Sequence, residues 1–284
     1  MIPPTVVDAA IARALEEDLA GGDLTSEACV EPDRRASAVA LAKSWLVVCG
    51  GAVFARAFAL VDPTVSFESL ARDGEVADGK RPIWRVEGRA RSLLAAERTA
   101  LNFVQRMSGT ATLARRCVDA VPPSSRTRIT DTRKTTPGLR AFERYAVKVG
   151  GAHNHRDQLG SAVLIKDNHI VAAGGITVAI ERARRAAPHT TRVEVEVASL
   201  DGLEEALAAG ADIVMLDNFS DEGTRAAVER VRRQSPAPLV EASGGITLER
   251  ITLLAEMGVD VISVGALTHS APSADISLEL SIDS

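Results

Sequence analysis

Cysteine is scarce in this sequence, and long apolar runs are missing. The three cysteines, Cys29, Cys49 and Cys117, stand far apart, without a C-x-x-C pair or a Cys/His spacing suited to zinc. We therefore expect free thiols in a reducing cytoplasm. No stretch approaches the ~20 apolar residues that a membrane-spanning helix needs, and the first residues lack the charged and apolar regions of a signal peptide. These absences predict a cytoplasmic protein with no membrane segment.

An excess of positive charge is also missing. The 284 residues carry a formal net charge of -5, which argues against general attraction to nucleic acid. Any anionic ligand must therefore bind through local groups of Arg and Lys. Hydrophobic residues make up 46% of the chain, enough for a packed core in one large domain or in two.

Nucleotide-binding glycine motifs are missing too, although the second half of the chain alternates strands with helices. No G-x-G-x-x-G follows a predicted strand, and no G-x-x-x-x-G-K-S/T occurs. The first hundred residues have the mixed pattern of a small α+β domain, followed by a predicted helix over 93–121. The later alternation favours a parallel sheet closed into a barrel of about seven or eight strands. The predicted strands are 128–130, 146–149, 163–165, 193–197, 213–216, 239–241 and 261–264.

Residues at the carboxyl ends of these strands form the predicted site, because in a parallel barrel those ends meet at one mouth. Two Arg and two Lys there could hold a ligand with several negative charges. Glu196 and Asp217 come from adjacent strands and could bind Mg²⁺, and glycine-rich turns could cradle a phosphate. The pattern predicts a site for an anionic small molecule and a phosphorylated, Mg²⁺-bound partner molecule. The mouth contains Thr132, Arg133, Lys134, His155, Arg156, Lys166, Glu196, Asp217, Ser243, Gly244 and Gly245.

Simpler interpretations stay open for single residues. Lys166 could form only a salt bridge inside the barrel. Glu194 and Glu196 point to the same face of their strand, so one of them could be purely structural. Glycine pairs usually serve turns. Three histidines could only donate hydrogen bonds within loops: His153, His155 and His169.

Several segments together resemble the signature of the quinolinate phosphoribosyltransferases, in the family's order and over nearly the whole chain. In the second half they are DTRKTTPGLR at 131–140, KVGG at 148–151, NHR at 154–156, LIKDNH at 164–169, VEVEV at 193–197, LDN at 216–218, EASGGI at 241–246 and VGALTHS at 264–270. In the first third, EDL at 17–19, GDLT at 22–25 and ERTALN at 97–102 also fit.

The resemblance implies both a fold and a reaction. The fold would be an N-terminal α/β sandwich domain over 1–110 and an open α/β (TIM-like) barrel of about seven strands over 111–267, with a tail over about 268–284 that packs back on the first domain. The reaction would convert quinolinate and phosphoribosyl pyrophosphate to nicotinate mononucleotide, pyrophosphate and CO₂, with Mg²⁺, in NAD biosynthesis. The enzyme would be a homodimer or a higher oligomer, in which each N-terminal domain covers the partner's barrel mouth.

Residue roles follow from the same resemblance. Lys134, Lys166, Glu196 and Asp217 would be catalytic, with Glu196 and Asp217 facing the ribose and Mg²⁺. Arg106 would reach the quinolinate of the neighbouring subunit. The other substrate contacts would be Thr132, Arg133, His155, Arg156, Ser243, Gly244, Gly245, Val264, Gly265 and Ala266.

Two departures from the family pattern and three rival functions remain at this stage. Ser161 and Ala198 stand where the family usually carries an acid, so we expect altered hydrogen bonding around the site with activity retained. The rivals are a sister family associated with molybdenum transport, a phosphoribosyltransferase that uses nicotinate, and a non-catalytic barrel that senses a phosphorylated metabolite. The intact KDNH at 166–169 disfavours the molybdenum-associated family, and the rich Arg cluster disfavours a nicotinate-using enzyme. The retained acids and cations disfavour a non-catalytic sensor.

Overall fold

The computed structural model describes residues 1–282, which form two compact units. The first unit contains Met1–Arg115, Thr135–Gly151 and the described residues from Ala266 onward. The second contains Arg116–Lys134 and Ala152–Gly265. The segment 135–151 groups with the first unit because the apolar side chains of its helix, among them Phe142 and Ala146, belong to that unit's core.

The first unit combines one antiparallel sheet with helices. Its helices are α1 (Pro4–Leu19), α2 (Leu24–Cys29), α3 (Gly51–Val61), α4 (Ala90–Asp119, whose last turn extends into the second unit), α5 (Arg140–Val149) and, near the C-terminus, α11 (Ala266–His269). Its strands are β1 (Arg35–Ala42), β2 (Leu46–Val47), β3 (Ser66–Ser69), β4 (Val76–Ala77), β5 (Arg81–Arg89) and β12 (Ile276–Ile282).

Strand β12 brings the end of the chain into the first sheet, whose order is β12-β1-β5-β3. It pairs with β1 from Ala36 opposite Ile282 to Ala42 opposite Ile276. The core beneath this sheet is built around Trp84, Phe54 and Phe58, which are fully buried. Because aromatic side chains bury large apolar areas, these three residues contribute strongly to the stability of the unit.

The second unit is an α/β barrel-like sheet. Its strands are β6 (Arg128–Thr130), β7 (Val163–Ile165), β8 (Val193–Val197), β9 (Ile213–Asp217), β10 (Leu239–Ser243) and β11 (Val261–Ser263). Its helices are α6 (Asp167–Ala173), α7 (Ile176–Ala186), α8 (Leu200–Ala208), α9 (Asp221–Arg232) and α10 (Leu248–Glu256). All pairings in this sheet are parallel, in the order β6-β11-β10-β9-β8-β7.

The predicted mixed α/β fold is confirmed, with six strands in the barrel sheet. The predicted strand at 146–149 is wrong, because these residues are the last turn of α5. Phe142 and Ala146 are four residues apart, the spacing of one face of a helix, and this spacing is not visible in residues 146–149 alone. The place beside β6 is instead taken by His153, which forms a single parallel bridge with Thr130. The described residues contain no pairing between β7 and this bridge, so the barrel is open there.

Two equivalent arginine clamps join the helices to the amino ends of the strands. Arg232 of α9 donates to Asp260 Oδ2 at 2.9 Å and to the carbonyl of Gly258 at 2.7 Å. Arg184 of α7 makes the same pair of bonds to Asp212 and Gly210. Each clamp lies just before a strand, opposite the end at which active sites of parallel barrels form.

No helix within residues 1–282 has both the length and the hydropathy required to cross a bilayer.

Candidate functional site

Alternate residues of the barrel strands carry the site, because successive side chains of a strand point to opposite faces. Val193, Val195 and Val197 of β8 are buried on one face, and Glu194 and Glu196 lie on the other. Side chains alternate between the two faces on the other strands as well, and the polar ones line a cavity of about 560 Å³. The cavity is lined by Thr132, Arg133, Lys134, His155, Arg156, Leu164, Lys166, Glu196, Met215, Asp217, Asn218, Glu241, Ser243, Gly244, Gly245 and Ser263, all from the second unit.

The structure thus gathers eleven of the predicted residues around one cavity: Thr132, Arg133, Lys134, His155, Arg156, Lys166, Glu196, Asp217, Ser243, Gly244 and Gly245. Val264 and Gly265 follow β11 and are not among the lining residues; the Val264 N–H donates to the carbonyl of Thr130. Ala266 begins α11, and it and Arg106 belong to the first unit.

An ion pair lies in the cavity wall between two predicted catalytic residues. Lys166 Nζ lies 2.5 Å from Glu196 Oε2, and 44% of the Lys166 side chain is exposed. The salt bridge considered for Lys166 therefore exists. It stands at the surface of the cavity, where a bound anion could also reach the ammonium.

His155 sits against two buried carboxylates. Its Nε2 lies 3.3 Å from Glu194 Oε2 and 3.5 Å from Glu241 Oε2. Burial opposes protonation of the ring, but hydrogen bonds and charge attraction from Glu194 and Glu241 raise the pKa of His155 to about 10. Burial in turn raises the pKa of Glu194, against the opposing effect of His155. A proton is therefore held firmly within this group of three residues.

A buried aspartate fixes the loop that carries His155. Asp131 is fully buried, and its Oδ2 accepts a 2.6 Å hydrogen bond from Asn154 Nδ2. Its Oδ1 accepts a 2.7 Å bond from the backbone N–H of His155. Because β6 ends one residue before Asp131, the sheet positions the His155 loop through this carboxylate.

Arg133 and Arg156 concentrate positive charge in the cavity. Burial, followed by repulsion from Arg133, lowers the pKa of Arg156. A guanidinium nonetheless stays protonated at any physiological pH. Two such groups in one wall favour a ligand with several negative charges, since an anion relieves their repulsion.

The turn after β10 interlocks with the turn after β9. Gly244 and Gly245 have left-handed φ angles of 90° and 58°, and Asn218 has one of 53°. The Asn218 N–H donates to the Ser243 carbonyl at 3.0 Å. A Cβ at Gly244 would overlap Asn218 Oδ1, so this close approach requires glycine.

Two sets of carboxylates bear on metal binding. Among residues 1–282, the one group of three His and acidic side chains close enough to share an ion is His155, Glu194 and Glu241. Within it, His155 Nε2 lies within 3.5 Å of an oxygen of each carboxylate, so its hydrogen faces these two acids. That group is therefore hydrogen-bonded internally. Glu196 and Asp217 line the cavity beside Lys166 and Asn218. Mg²⁺ usually takes one or two protein carboxylates and completes its shell with phosphates and water, so these two residues could hold it.

Sequence reasoning missed the supporting residues of the site. The sequence pattern predicts no role for Glu241, Asp131, Asn154 or Asn218. A signal for Glu241 was present, because a lone acid interrupts the apolar strand LVEAS. Both acids of β8 contact another side chain: Glu194 faces His155, and Glu196 faces Lys166. The Ser161 hydroxyl closes a local turn by donating to the Gln158 carbonyl.

Arg106 is held by its own chain. Its guanidinium donates to buried Glu143 Oε1 at 2.8 Å, to Thr136 Oγ1 at 3.3 Å and to the Ala271 carbonyl at 3.1 Å, and it also bonds the Thr268 carbonyl. It lines a separate cavity of about 330 Å³ within the first unit.

Comparison with known protein families decides between the possible barrel enzymes. The family model for the C-terminal domain of quinolinate phosphoribosyl transferase matches residues 110–279, and the model for its N-terminal domain matches residues 23–108. The chain belongs to the quinolinate phosphoribosyltransferase family. This family assignment confirms the resemblance seen in the sequence motifs.

Similarity to individual relatives extends over whole chains. A human protein named nicotinate-nucleotide pyrophosphorylase (carboxylating) is 41% identical over 281 residues, covering 99% of this chain and 93% of that protein. A Synechocystis relative, named as a probable enzyme of the same kind, is 40% identical over 280 residues, covering 98% and 94%. The crystal structure of NadC from Streptococcus pyogenes has a TM-score of 0.93 at 40% identity, with 100% of this chain and 99% of that chain covered.

Proposed function

We infer that the protein is an enzyme that converts quinolinate and phosphoribosyl pyrophosphate to nicotinate mononucleotide, pyrophosphate and CO₂ in NAD biosynthesis. The observation that carries this function is one cavity in which four cations face two acids and a double-glycine turn. The cations are Arg133, Lys134, Arg156 and Lys166. A dicarboxylate and a polyphosphate both need such charge, whereas nicotinate has one carboxylate fewer.

The cavity separates the demands of the two substrates. Arg133, Arg156 and His155 come from the loops after β6 and after the His153 bridge, and they suit the two carboxylates of quinolinate. The Gly244–Gly245 turn follows β10 and suits the 5′-phosphate of the ribosyl donor. Lys134 and Lys166 suit the departing pyrophosphate as compact point charges.

The proposed reaction breaks and forms bonds at two carbon atoms. The bond from ribose C1 to the pyrophosphate oxygen breaks, and pyrophosphate leaves with the electron pair. The pyridine nitrogen donates its lone pair to C1 and becomes positively charged. The bond from the pyridine C2 to its carboxylate then breaks, CO₂ leaves, and a solvent proton takes its place at C2. Glu196 and Asp217 stabilise the positive charge that develops on the ribose.

No covalent enzyme intermediate is needed in this sequence, because the protein contributes positioning and electrostatic stabilisation. A trapped ribosyl–enzyme adduct in a single turnover would contradict the mechanism.

Mg²⁺ is the proposed cofactor, held by Glu196 and Asp217. When bound, it neutralises pyrophosphate oxygens as a Lewis acid. Activity should disappear in excess EDTA and return with added Mg²⁺. Activity that persists in EDTA would contradict this assignment.

A homodimer with a shared active site is proposed from the family resemblance. Support comes from Arg106, which follows the matching segment 97–102 and lines a cavity of the first unit. To contact the partner's quinolinate, Arg106 would exchange part of its bonding to Glu143 and the nearby carbonyls. Mixing Arg106→Ala with Lys134→Ala subunits should restore activity, since one of the two sites is then intact. Failure to restore activity, with folded and exchanging subunits, would rule out the shared site.

A cytoplasmic location is proposed because the three cysteines are free thiols. Fractionation of cells expressing the protein would test it, and recovery outside the cytoplasm would contradict it.

An arginine substitution tests the substrate assignment. Arg156→Ala should raise KM for quinolinate roughly ten- to hundredfold, because a charge-assisted hydrogen bond contributes about 1.5–3 kcal/mol. Arg185→Ala, on the exposed face of α7, is the control and should leave KM unchanged. Unchanged quinolinate saturation in both variants would show that Arg156 does not bind this substrate.

A further inference from the structure

Arg250 joins the two turns that border the phosphate side of the cavity. It lies in the first turn of α10, and its side chain is 22% exposed. Nη1 donates to the Gly244 carbonyl at 3.0 Å, and Nη2 donates to the Phe219 carbonyl at 2.5 Å. Nε donates to Asp221 Oδ1 at 3.3 Å. One side chain thus bonds the turn after β10 and the turn after β9 together.

These turns depend on such a connection because their backbone conformations are uncommon. Asn218, Gly244 and Gly245 are all left-handed, and a non-glycine residue adopts that conformation only at some cost. Asn218 also fills the space beside Gly244 that a Cβ would occupy. If either turn moved, the other would have to move with it.

The bond to the Gly244 carbonyl also sets the direction of an amide. In a trans peptide the carbonyl of one residue and the N–H of the next point to opposite sides. The Gly244 carbonyl points to Arg250, so the Gly245 N–H points away from it. Gly245 lines the cavity, and backbone amides in a left-handed turn are the usual ligands of a phosphate.

We propose that Arg250 is a positioning residue for phosphate binding, fixing the Gly244–Gly245 turn against Asn218 without touching the substrate. The proposal rests on the proposed function, in which this turn binds the 5′-phosphate of phosphoribosyl pyrophosphate. The fork of the guanidinium is essential to the role, because a lysine ammonium cannot reach two carbonyls and a carboxylate with the same geometry.

Arg232 provides the matched control. It is an arginine of the preceding helix, and it bonds one backbone carbonyl and one aspartate, whereas Arg250 bonds two backbone carbonyls and one aspartate. Its bonds lie at the amino ends of the strands, before β11. Arg232→Ala therefore removes a similar clamp and a similar charge without affecting the turns at the cavity.

The test compares Arg250→Ala, Arg250→Lys and Arg232→Ala in the full-length protein, with thermal unfolding measured for each. Arg250→Ala should raise KM for phosphoribosyl pyrophosphate about tenfold, with KM for quinolinate and kcat within about twofold. Arg250→Lys should restore little of the loss. Arg232→Ala should change neither KM, even where its melting temperature falls as far. Equal changes in both KM values, no change beyond that of Arg232→Ala, or full rescue by lysine would each overturn the proposal.

A binding measurement separates this inference from the proposed function. Calorimetry with ribose 5-phosphate requires no turnover. Weaker binding to Arg250→Ala alone, in a protein that makes no product from quinolinate, would uphold the positioning role and refute the reaction. Product formation from quinolinate, together with equal ribose 5-phosphate affinity in all variants, would uphold the reaction and refute the positioning role of Arg250. Should Arg250→Ala fail to fold, the lysine variant provides the same comparison.

Discussion

At the scale of single residues, the proton of His155 depends on Glu194 and Glu241. With its pKa raised to about 10, the ring contributes stability that is fully present below about pH 6.5 and is lost as the pH rises through about 10. The ring therefore keeps its proton over the whole physiological range. A solvent-exposed histidine would lose it near pH 6.5.

The pKa of His155 can be measured by NMR of the histidine-labelled protein. We expect no titration of this ring between pH 6 and 8 in the wild type, and a lower pKa in Glu241→Gln, because one of its two carboxylates is then neutral. His189→Gln, at an exposed residue of the second unit, identifies a control signal. Titration of wild-type His155 near pH 6.5 would contradict the proposed environment.

Asp62 predicts an acid-dependent change in stability. Its Oδ1 accepts bonds from the Thr64 hydroxyl at 2.7 Å and the Thr64 N–H at 2.9 Å, and its Oδ2 accepts one from Ser92 at 2.8 Å. These bonds lower the pKa of Asp62 from 3.8 to about 2, and the bond from the Thr64 hydroxyl has the largest effect. A lowered carboxyl pKa stabilises the folded state above pH 3.8, and that contribution is lost as the pH falls through about 2.

The corresponding measurement compares urea midpoints of the wild type and Asp62→Asn at pH 5 and at pH 2.5. The difference between the two proteins should be largest at pH 5 and shrink at pH 2.5. Since the other carboxyl groups titrate in both proteins, a difference that stays constant would show that Asp62 has an ordinary pKa.

At the scale of elements, apolar spacing predicted the long helix α4 and six strands of the barrel sheet but failed where a short segment fits two patterns. Residues 146–149 (AVKV) read as a strand when taken alone, and they end α5 because its core contacts begin at Phe142. The strands of the barrel were found correctly because β-branched residues and alternating Glu mark them. Positions of loop contacts, such as Gly244 against Asn218, depend on partners distant in the chain and could not be found from local sequence.

At Gly109 in α4 we expect alanine to destabilise the helix, the opposite of its usual effect. Alanine normally stabilises a helix interior by up to about 1 kcal/mol over glycine. At this position a Cβ would overlap the Pro272 carbonyl, in the segment that leads to β12. Gly109→Ala should therefore destabilise the first unit by about 1–3 kcal/mol.

Gly202 in α8 is the control for this substitution, because its Cβ would meet neighbours only at ordinary contact distances, 3.4 Å and beyond. Gly202→Ala should leave stability unchanged or raise it. Urea unfolding of both variants measures the free energy of unfolding. A Gly109→Ala protein as stable as the wild type would show that the Pro272 segment moves away from the added Cβ at little cost.

At the scale of the whole molecule, sequence motifs predicted the family and most of the residues in the barrel cavity. The family followed from the resemblance of the motifs, and the cavity residues followed because the carboxyl ends of parallel barrel strands meet at one mouth. The motifs could not predict which residues hold the site in place. Glu241 contacts His155, and Arg250 contacts Phe219. Only the fold brings these partners together, because they lie far apart in the sequence.

The central claim is that the cavity binds quinolinate and phosphoribosyl pyrophosphate and joins them. The most direct test incubates the purified protein with phosphoribosyl pyrophosphate, Mg²⁺ and either quinolinate or nicotinate, and follows nucleotide and CO₂. We expect nicotinate mononucleotide and an equal amount of CO₂ from quinolinate, and no product from nicotinate. Product from nicotinate, or none from either acid with a folded protein, would contradict the claim and favour a nicotinate-using enzyme, the molybdenum-associated sister family or a sensor.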